Sequence, residues 1–223
     1  MYGFDQNTQS EGLGVSILPV GVNNNVYLAR VAYENSKQDG SGQNVLAFHF
    51  ENSNGQTYRH VEFEIDTDKI KENAPTDWTH KKDNKQLGFV KGQPVTPDDM
   101  VKMRVNEMNT RIKHILTKFI PEEKAAVVNP SGWQDFCQKI VALFPQGYNE
   151  VALQIKVVYN WNDYLTFPKF PPFVRRMDQI EEMGNLEITQ YDKIEKSATV
   201  DQADDNSEFA SEETSDDQNE PAF

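Results

Sequence analysis

The stretch that decides the fold runs from Val26 to Asp66. It opens with Val26-Tyr27-Leu28-Ala29-Arg30-Val31-Ala32-Tyr33-Glu34 and crosses a polar, Gly-containing loop at Asn35–Gln43. It continues with Asn44-Val45-Leu46-Ala47-Phe48-His49-Phe50-Glu51, turns at Ser53-Asn54-Gly55, and ends with Thr57 to Asp66. Alternating apolar and polar residues, rich in β-branched and aromatic types, read as strands. Asn-Gly supplies the positive φ that a tight hairpin needs. Parity puts Leu46, Phe48 and Phe50 on one face of the second strand, with Val45, Ala47 and His49 on the other. In the third it points Val61, Phe63 and Ile65 inward, and Tyr58, His60, Glu62 and Glu64 outward. Tyr27, Tyr33, Tyr58 and His60 then face away from Leu46, Phe48 and Phe50. Three antiparallel strands in succession make a meander.

Residues 67–97 read as polar and irregular. Thr96-Pro97-Asp98-Asp99 then starts a helix, with a capping hydroxyl, a proline in the first turn and acids at the positive end. Met100, Val101, Val105, Met108, Ile112, Ile115, Leu116 and Phe119 keep a 3.6-residue rhythm as far as Pro121. A second helix is expected from Ser131 to Phe144, closed by Pro145-Gln146-Gly147. Val151 to Tyr159 alternates again as a fourth strand. Leu165 to Val174 is a fifth, confined to an edge or a bend by Pro168, Pro171 and Pro172; residues 185–194 have the makings of one more short strand. The order is three strands, helices, then two strands. The expected fold is mainly β with a helical insertion at about 98–145: a five-stranded OB-fold-like barrel with helices between strands 3 and 4. The domain spans 21–196, between a flexible segment at 1–20 and a disordered acidic tail at 197–223.

The whole chain has 223 residues and a net charge of −13, which looks unfavourable for nucleic acid until the charge is located. Nine of the 35 acids lie in residues 197–223, which contain no Lys or Arg. The other 196 residues hold 26 acids and all 22 bases, so the body is nearly balanced. The longest apolar run, Val15–Val22, is interrupted by Ser16, Pro19 and Gly21, far short of the ~20 residues a bilayer span needs. No secretory signal is visible, and the single Cys137 has no internal disulfide partner. These features are expected of a cytoplasmic protein without a membrane partner.

Catalytic patterns are missing from the sequence. Gly40-Ser41-Gly42 lies between strands with no helix start behind it, so it is not a phosphate loop. His49, His60, His80 and His114 are scattered, and one cysteine cannot complete a zinc site with them. Cys137 sits on the apolar side of its helix between Phe136 and Ile140, the place of a core thiol. Glu62, Glu64, Asp66 and Asp68 alternate, as a divalent-metal nuclease would need. With no second acidic cluster beside a Lys or His, the solvated face of an outer strand accounts for them. No catalytic residue, metal ligand or cofactor is expected.

Rings interleaved with cations carry more information. Residues 78–91 place Lys81, Lys82, Lys85 and Lys91 between Trp78 and Phe89, and residues 159–176 contain Tyr159, Trp161, Lys169, Arg175 and Arg176. Such mixtures bind single-stranded nucleic acid without sequence preference, rings stacking on bases while cations follow phosphates. The candidate DNA-binding set is these residues (Phe89 excepted) with Arg30, Tyr33, Lys37, Tyr58 and His60. Ordinary core packing is the competing reading for Phe167, Phe170 and Phe173, and a solvated loop for the lysines. The tail, acidic and poor in apolar residues, ends in Asp216-Asp217-Gln218-Asn219-Glu220-Pro221-Ala222-Phe223. Solubility alone does not favour the aromatic, which with its carboxylate makes a compact handle for a basic pocket.

These residues together resemble the bacterial and phage single-stranded DNA-binding proteins, most closely the phage-encoded ones. Leu18-Pro19-Val20-Gly21-Val22-Asn23-Asn24-Asn25-Val26 leading into the first strand, Asp39-Gly40, the Asn54-Gly55 hairpin, the Phe-rich run from Tyr159 to Val174, and the Pro221-Ala222-Phe223 end carry the likeness. The resemblance implies a non-catalytic protein that coats unwound strands in phage replication or recombination, in the host cytoplasm. It also implies that Asp216, Asp217, Glu220, Pro221 and Phe223 recruit polymerase, primase or helicase, and it is compatible with a homo-oligomer. The rival reading is a β-rich interaction module, virion-associated or DNA-mimicking, whose tail binds basic partners.

Overall fold

The computed structural model describes residues 16–37, 39–127 and 129–197. The expectations for residues 1–15 and for the tail beyond Ser197, including Asp216, Asp217, Glu220, Pro221 and Phe223, lie outside the described residues. The chain divides into two compact units. The larger takes in the described residues up to Glu64 together with Glu107–Glu195, and the smaller centres on Ile65–Asn106.

The larger unit is mainly β. Its strands are β1 (Gly21–Asn35), β2 (Asn44–Asn52), β3 (Thr57–Glu62), β4 (Ala152–Tyr159), β5 (Leu165–Thr166) and β6 (Val174–Arg176). They pair antiparallel in the order β3-β2-β1-β4-β5, with β6 also on β4, and curl into a nearly closed, barrel-like sheet. β1 holds the curl together. It pairs with β2 through Val26–Asn35 and with β4 through Gly21–Tyr27, and its register slips between Asn23 and Val26 and again between Leu28 and Arg30. Each slip is an extra residue that bends and twists the strand. Asn25, at φ 52°, takes one of those bends in the left-handed conformation that asparagine tolerates.

The meander forms as the alternation predicts, but β3 is turned over. The register sets Leu46 opposite Glu62, Phe48 opposite His60 and Phe50 opposite Tyr58. Directly paired residues share a face. Tyr58, His60 and Glu62 therefore point into the interior, while Phe63 is exposed. Tyr33 pairs with Leu46, so it too lies on the face it was expected to avoid. The inversion is stable because the polar groups find partners inside: Glu62 takes two hydrogen bonds from Arg111 and lies 3.0 Å from His60 Nε2.

Side chains draw the two ends of the sheet together. Phe167, one residue past β5, stands 4.8 Å from the His60 ring, 5.2 Å from Tyr58 and 5.5 Å from Phe50. Its other side stacks on Phe173 at 4.8 Å. Both phenylalanines are enclosed, so core packing is the correct reading for them, whereas Phe170 is 64% exposed. The fifth strand is broken as its prolines require. Leu165–Thr166 and Val174–Arg176 both pair with β4, and the chain between them leaves the ladder.

Residues 16–20 are more ordered than their composition predicts: Leu18 is buried, and its amide donates to Thr57 O at 2.9 Å. The expected strand at 185–194 is instead a strap pinned by side chains. Gln154 Nε2 donates to Asn24 at 2.7 Å and Asn185 at 2.9 Å, and Lys156 Nζ donates to Asp192 at 2.8 Å and Glu187 O at 3.0 Å.

Four α-helices lie among the described residues, α1 (Thr67–Glu72), α2 (Pro97–Leu116), α3 (Trp133–Leu143) and α4 (Ile180–Met183), together with three short 3-10 turns. α1 stands where irregular chain was expected, with the Asp66 carboxylate capping the Lys69 amide. At the head of α2, Asp99 N donates to Thr96 Oγ1 and Thr96 N donates to Asp99 Oδ2, a reciprocal capping box. Among the described residues no helix is long and apolar enough to cross a membrane.

Candidate nucleic-acid interface

Two of the expected ring residues prove unusable as a surface. Tyr58 and His60 are 4% and 5% exposed, enclosed by Phe50, Phe48 and Phe167. They belong to the barrel interior, which corrects their assignment as base-stacking residues. Tyr33 is half-buried and lines an open depression with Glu64, Trp133 and Gln138.

The turn from β4 to β5 behaves differently. Asn160 builds it almost alone: its Oδ1 accepts from the amides of Asn162 and Tyr164 at 3.0 and 2.9 Å, and its amide donates to Tyr164 O at 2.9 Å. Asp163 sits at φ 60°, and its carboxylate takes Lys193 Nζ at 2.6 Å. On this braced frame Trp161 is 72% exposed and Tyr164 70% exposed. Large rings held out in water give up the burial that folding normally secures for them, and such rings mark contact surfaces. Tyr159 lies at the base of the same turn, half-buried, with its amide donating to Lys193 O.

The remaining cations of the larger unit divide by their partners. Lys37 is exposed on the β1–β2 connection. Lys169 lies 3.2 Å from Glu107 and 5.7 Å from the centre of the Phe170 ring. Arg175 is occupied with the carbonyls of Met183 and Gly184, and Arg176 grips Asp178 at 3.0 and 2.5 Å. Those two arginines fasten the chain that follows β6.

On the outer face of the meander, Arg30 is joined by residues that parity alone did not single out. Arg30, His49 and Arg59 are direct cross-strand neighbours on β1, β2 and β3. All three reach Glu34: Arg30 Nη2 at 2.5 Å, His49 Nε2 at 2.8 Å and Arg59 Nε at 3.0 Å. Partial burial raises the Glu34 pKa, but the hydrogen bonds and charges of these neighbours outweigh it and hold the carboxyl below its ordinary range. A sequence reading that fixed the hairpin register first would have found His49 and Arg59, since both fall on the outward parity with Arg30.

In the smaller unit, residues 78–95 form a cross-braced knuckle rather than a loose loop. His80 N donates to Gln93 O at 2.8 Å, Gly92 N to His80 O at 2.6 Å and Val95 N to Trp78 O at 2.8 Å. The His80 ring stacks on Phe89 at 4.5 Å, and its Nε2 lies 3.2 Å from Asp99 Oδ2. Lys81, Lys82, Lys85 and Lys91 are exposed on this knuckle, and Trp78 is 36% exposed. None of the four lysines has a carboxylate partner among the described residues.

Two carboxylates of the acidic alternation at 62–68 are already engaged. Glu62 is interior and bound to Arg111, and Asp66 caps α1. No group of three potential ligands is placed to hold a metal among the described residues. Cys137 is buried, and burial pushes its thiol up to about 12, with Glu64 adding to the effect. The thiolate that nucleophilic chemistry needs is therefore disfavoured. No protein-family model, no curated protein and no solved structure matches this chain.

Proposed function

We propose that this chain binds single-stranded DNA without sequence preference, as a non-catalytic OB-type barrel acting in phage replication or recombination. The observation that carries the reading is the rigid β4–β5 turn that holds Trp161 and Tyr164 in water. Exposed rings on a fixed frame suit base stacking, which tolerates any sequence because every base has a π-face. Two further features support it. The order β3-β2-β1-β4-β5, with helices between β3 and β4, is compatible with an OB barrel, a fold whose β1–β2 and β4–β5 loops flank the ligand. The knuckle adds four lysines without carboxylate partners among the described residues, suited to phosphates. On this reading the acidic tail, through Asp216, Asp217, Glu220, Pro221 and Phe223, recruits replication proteins such as polymerase, primase or helicase.

The test is a titration with oligo-dT, followed by tryptophan fluorescence at several salt concentrations. Binding should quench the emission, and Trp161→Ala should remove most of the quench and weaken affinity by roughly 1–3 kcal/mol. Log K should fall with log salt at about −0.7 per phosphate neutralised. Lack of binding, or a preference for duplex, would overturn the proposal.

A further inference from the structure

The sheet sets Arg30, His49 and Arg59 side by side across three adjacent strands, Arg30 opposite His49 and His49 opposite Arg59. The two arginines flank His49 on one face of the sheet, and all three residues share a single carboxylate, Glu34. Both of its oxygens are engaged, Oε2 by Arg30 and Oε1 by His49 and Arg59.

The two arginines are held differently. Arg59 is anchored by the backbone: its Nη1 donates to Ser36 O at 2.8 Å and its Nη2 to Asn35 O at 3.0 Å, where β1 enters the β1–β2 connection. Arg30 has no such anchor, and its side chain is 57% exposed. His49 Nε2 lies 2.8 Å from Glu34 Oε1 and 3.0 Å from Arg30 Nη2. A guanidinium can only donate, so Nε2 either accepts from Arg30 or donates to Glu34, never both at once. One acid thus leaves one hydrogen bond of the cluster unmade, and a second anionic oxygen beside Arg30 would satisfy it.

We propose that Arg30, His49 and Arg59 form a phosphodiester-binding site on the outer face of β1–β3, and that Glu34 is its resident carboxylate, which a nucleic-acid phosphate displaces from Arg30. Carboxylate and phosphodiester both offer two oxygens and a negative charge to a planar guanidinium fork, so one can stand in for the other. Glu34 lowers affinity for the strand and, in return, offsets the repulsion between Arg30 and Arg59 in the free protein. The inference rests on the proposed single-strand binding and adds to it a named phosphate site and an internal competitor.

The experiment titrates full-length protein with fluorescent oligo-dT across a salt series, for wild type, Glu34→Gln and Arg30→Ala, with circular dichroism to verify folding. Glu34→Gln should bind several-fold tighter with a nearly unchanged salt slope, because the same phosphate is neutralised in both proteins and only its competitor is gone. Arg30→Ala should bind several-fold weaker, with a slope shallower by about 0.7. A folded Glu34→Gln protein with unchanged or weaker affinity overturns the proposal. If Glu34→Gln does not fold, Arg30→Ala decides, and unchanged affinity there overturns it. A wild-type protein that binds no oligo-dT overturns the single-strand reading itself, an outcome distinct from wild-type binding that Glu34 and Arg30 do not influence.

Discussion

Arg111 holds both carboxylate oxygens of Glu62, Nε to Oε1 at 2.6 Å and Nη2 to Oε2 at 2.8 Å. Glu62 is 4% exposed, so this pair supports a charge that the barrel interior would otherwise reject. Arg111→Met should cost about 3–5 kcal/mol in chemical denaturation, because it strands a buried carboxylate. Adding Glu62→Leu should recover much of that stability, since a buried pair is often replaceable by apolar residues. Burial raises the Glu62 pKa, but hydrogen bonds from Arg111 and His60 outweigh it and hold the carboxyl below its ordinary 4.5. Its contribution to stability is therefore complete above that value and is lost as pH falls through the lower folded pKa. If the single and double variants prove equally unstable, the pair is not what fixes β3 in its inverted orientation.

His114 provides a second test by pH. Its Nε2 accepts from the amides of Phe173 and Val174, both at 3.3 Å, which requires an unprotonated nitrogen. Burial, with Lys118 adding to it, lowers its pKa from 6.5 to about 3. Unfolded chains bind a proton here in the window from about 6.5 down to 3 and folded chains do not, so stability falls as pH drops through it. In NMR the His114 ring should keep its neutral chemical shifts down to about pH 4. A midpoint near the ordinary value of about 6.5 would show that the two amides do not hold the ring neutral.

Strand existence was legible in residues 44–51 and 151–159 because alternation is a local property. The same held for the head of α2, where Thr96, Pro97 and Asp99 supply the cap within one turn. The orientation of β3 was not legible. Val61, Phe63 and Ile65 looked like the inward set, and the partner that draws Glu62 inward, Arg111, lies 49 residues away. Distance also hid the knuckle, whose order depends on His80 meeting Phe89 and Asp99. The exposed Trp161 was found from its company of rings and cations. His49, Arg59 and Glu34 needed the register of a correctly paired sheet before they could be seen as one cluster.

The knuckle lysines should separate attraction from stability. Replacing Lys81, Lys82 and Lys85 with alanine removes three charges that no carboxylate among the described residues balances, and that take no part in the His80–Phe89 stack. Oligo-dT affinity should fall and the salt slope should flatten by about 0.7 for each phosphate no longer neutralised. The thermal midpoint should move little, since exposed substitutions of this kind usually stay within about 0.5 kcal/mol. Unchanged affinity in the triple variant would make the knuckle a solvated surface.

Rigidity of the β4–β5 turn can be tested without touching its rings. Asn160→Ala removes the Oδ1 acceptor of the Asn162 and Tyr164 amides, while Trp161 and Tyr164 remain. If preorganisation contributes to stacking, oligo-dT affinity should drop, though by less than in Trp161→Ala, because a mobile ring must be ordered when it binds. The loosened turn should appear as lower fluorescence anisotropy of Trp161, measured in a background with Trp78 and Trp133 replaced by phenylalanine. The stability cost should be about 1 kcal/mol, the usual size of a missing side-chain-to-backbone hydrogen bond. Full affinity in Asn160→Ala, together with lowered anisotropy, would show that the ring matters and its fixed placement does not. Lowered affinity with unchanged anisotropy would instead point to Asn160 touching the strand directly, and the preorganisation argument would fall.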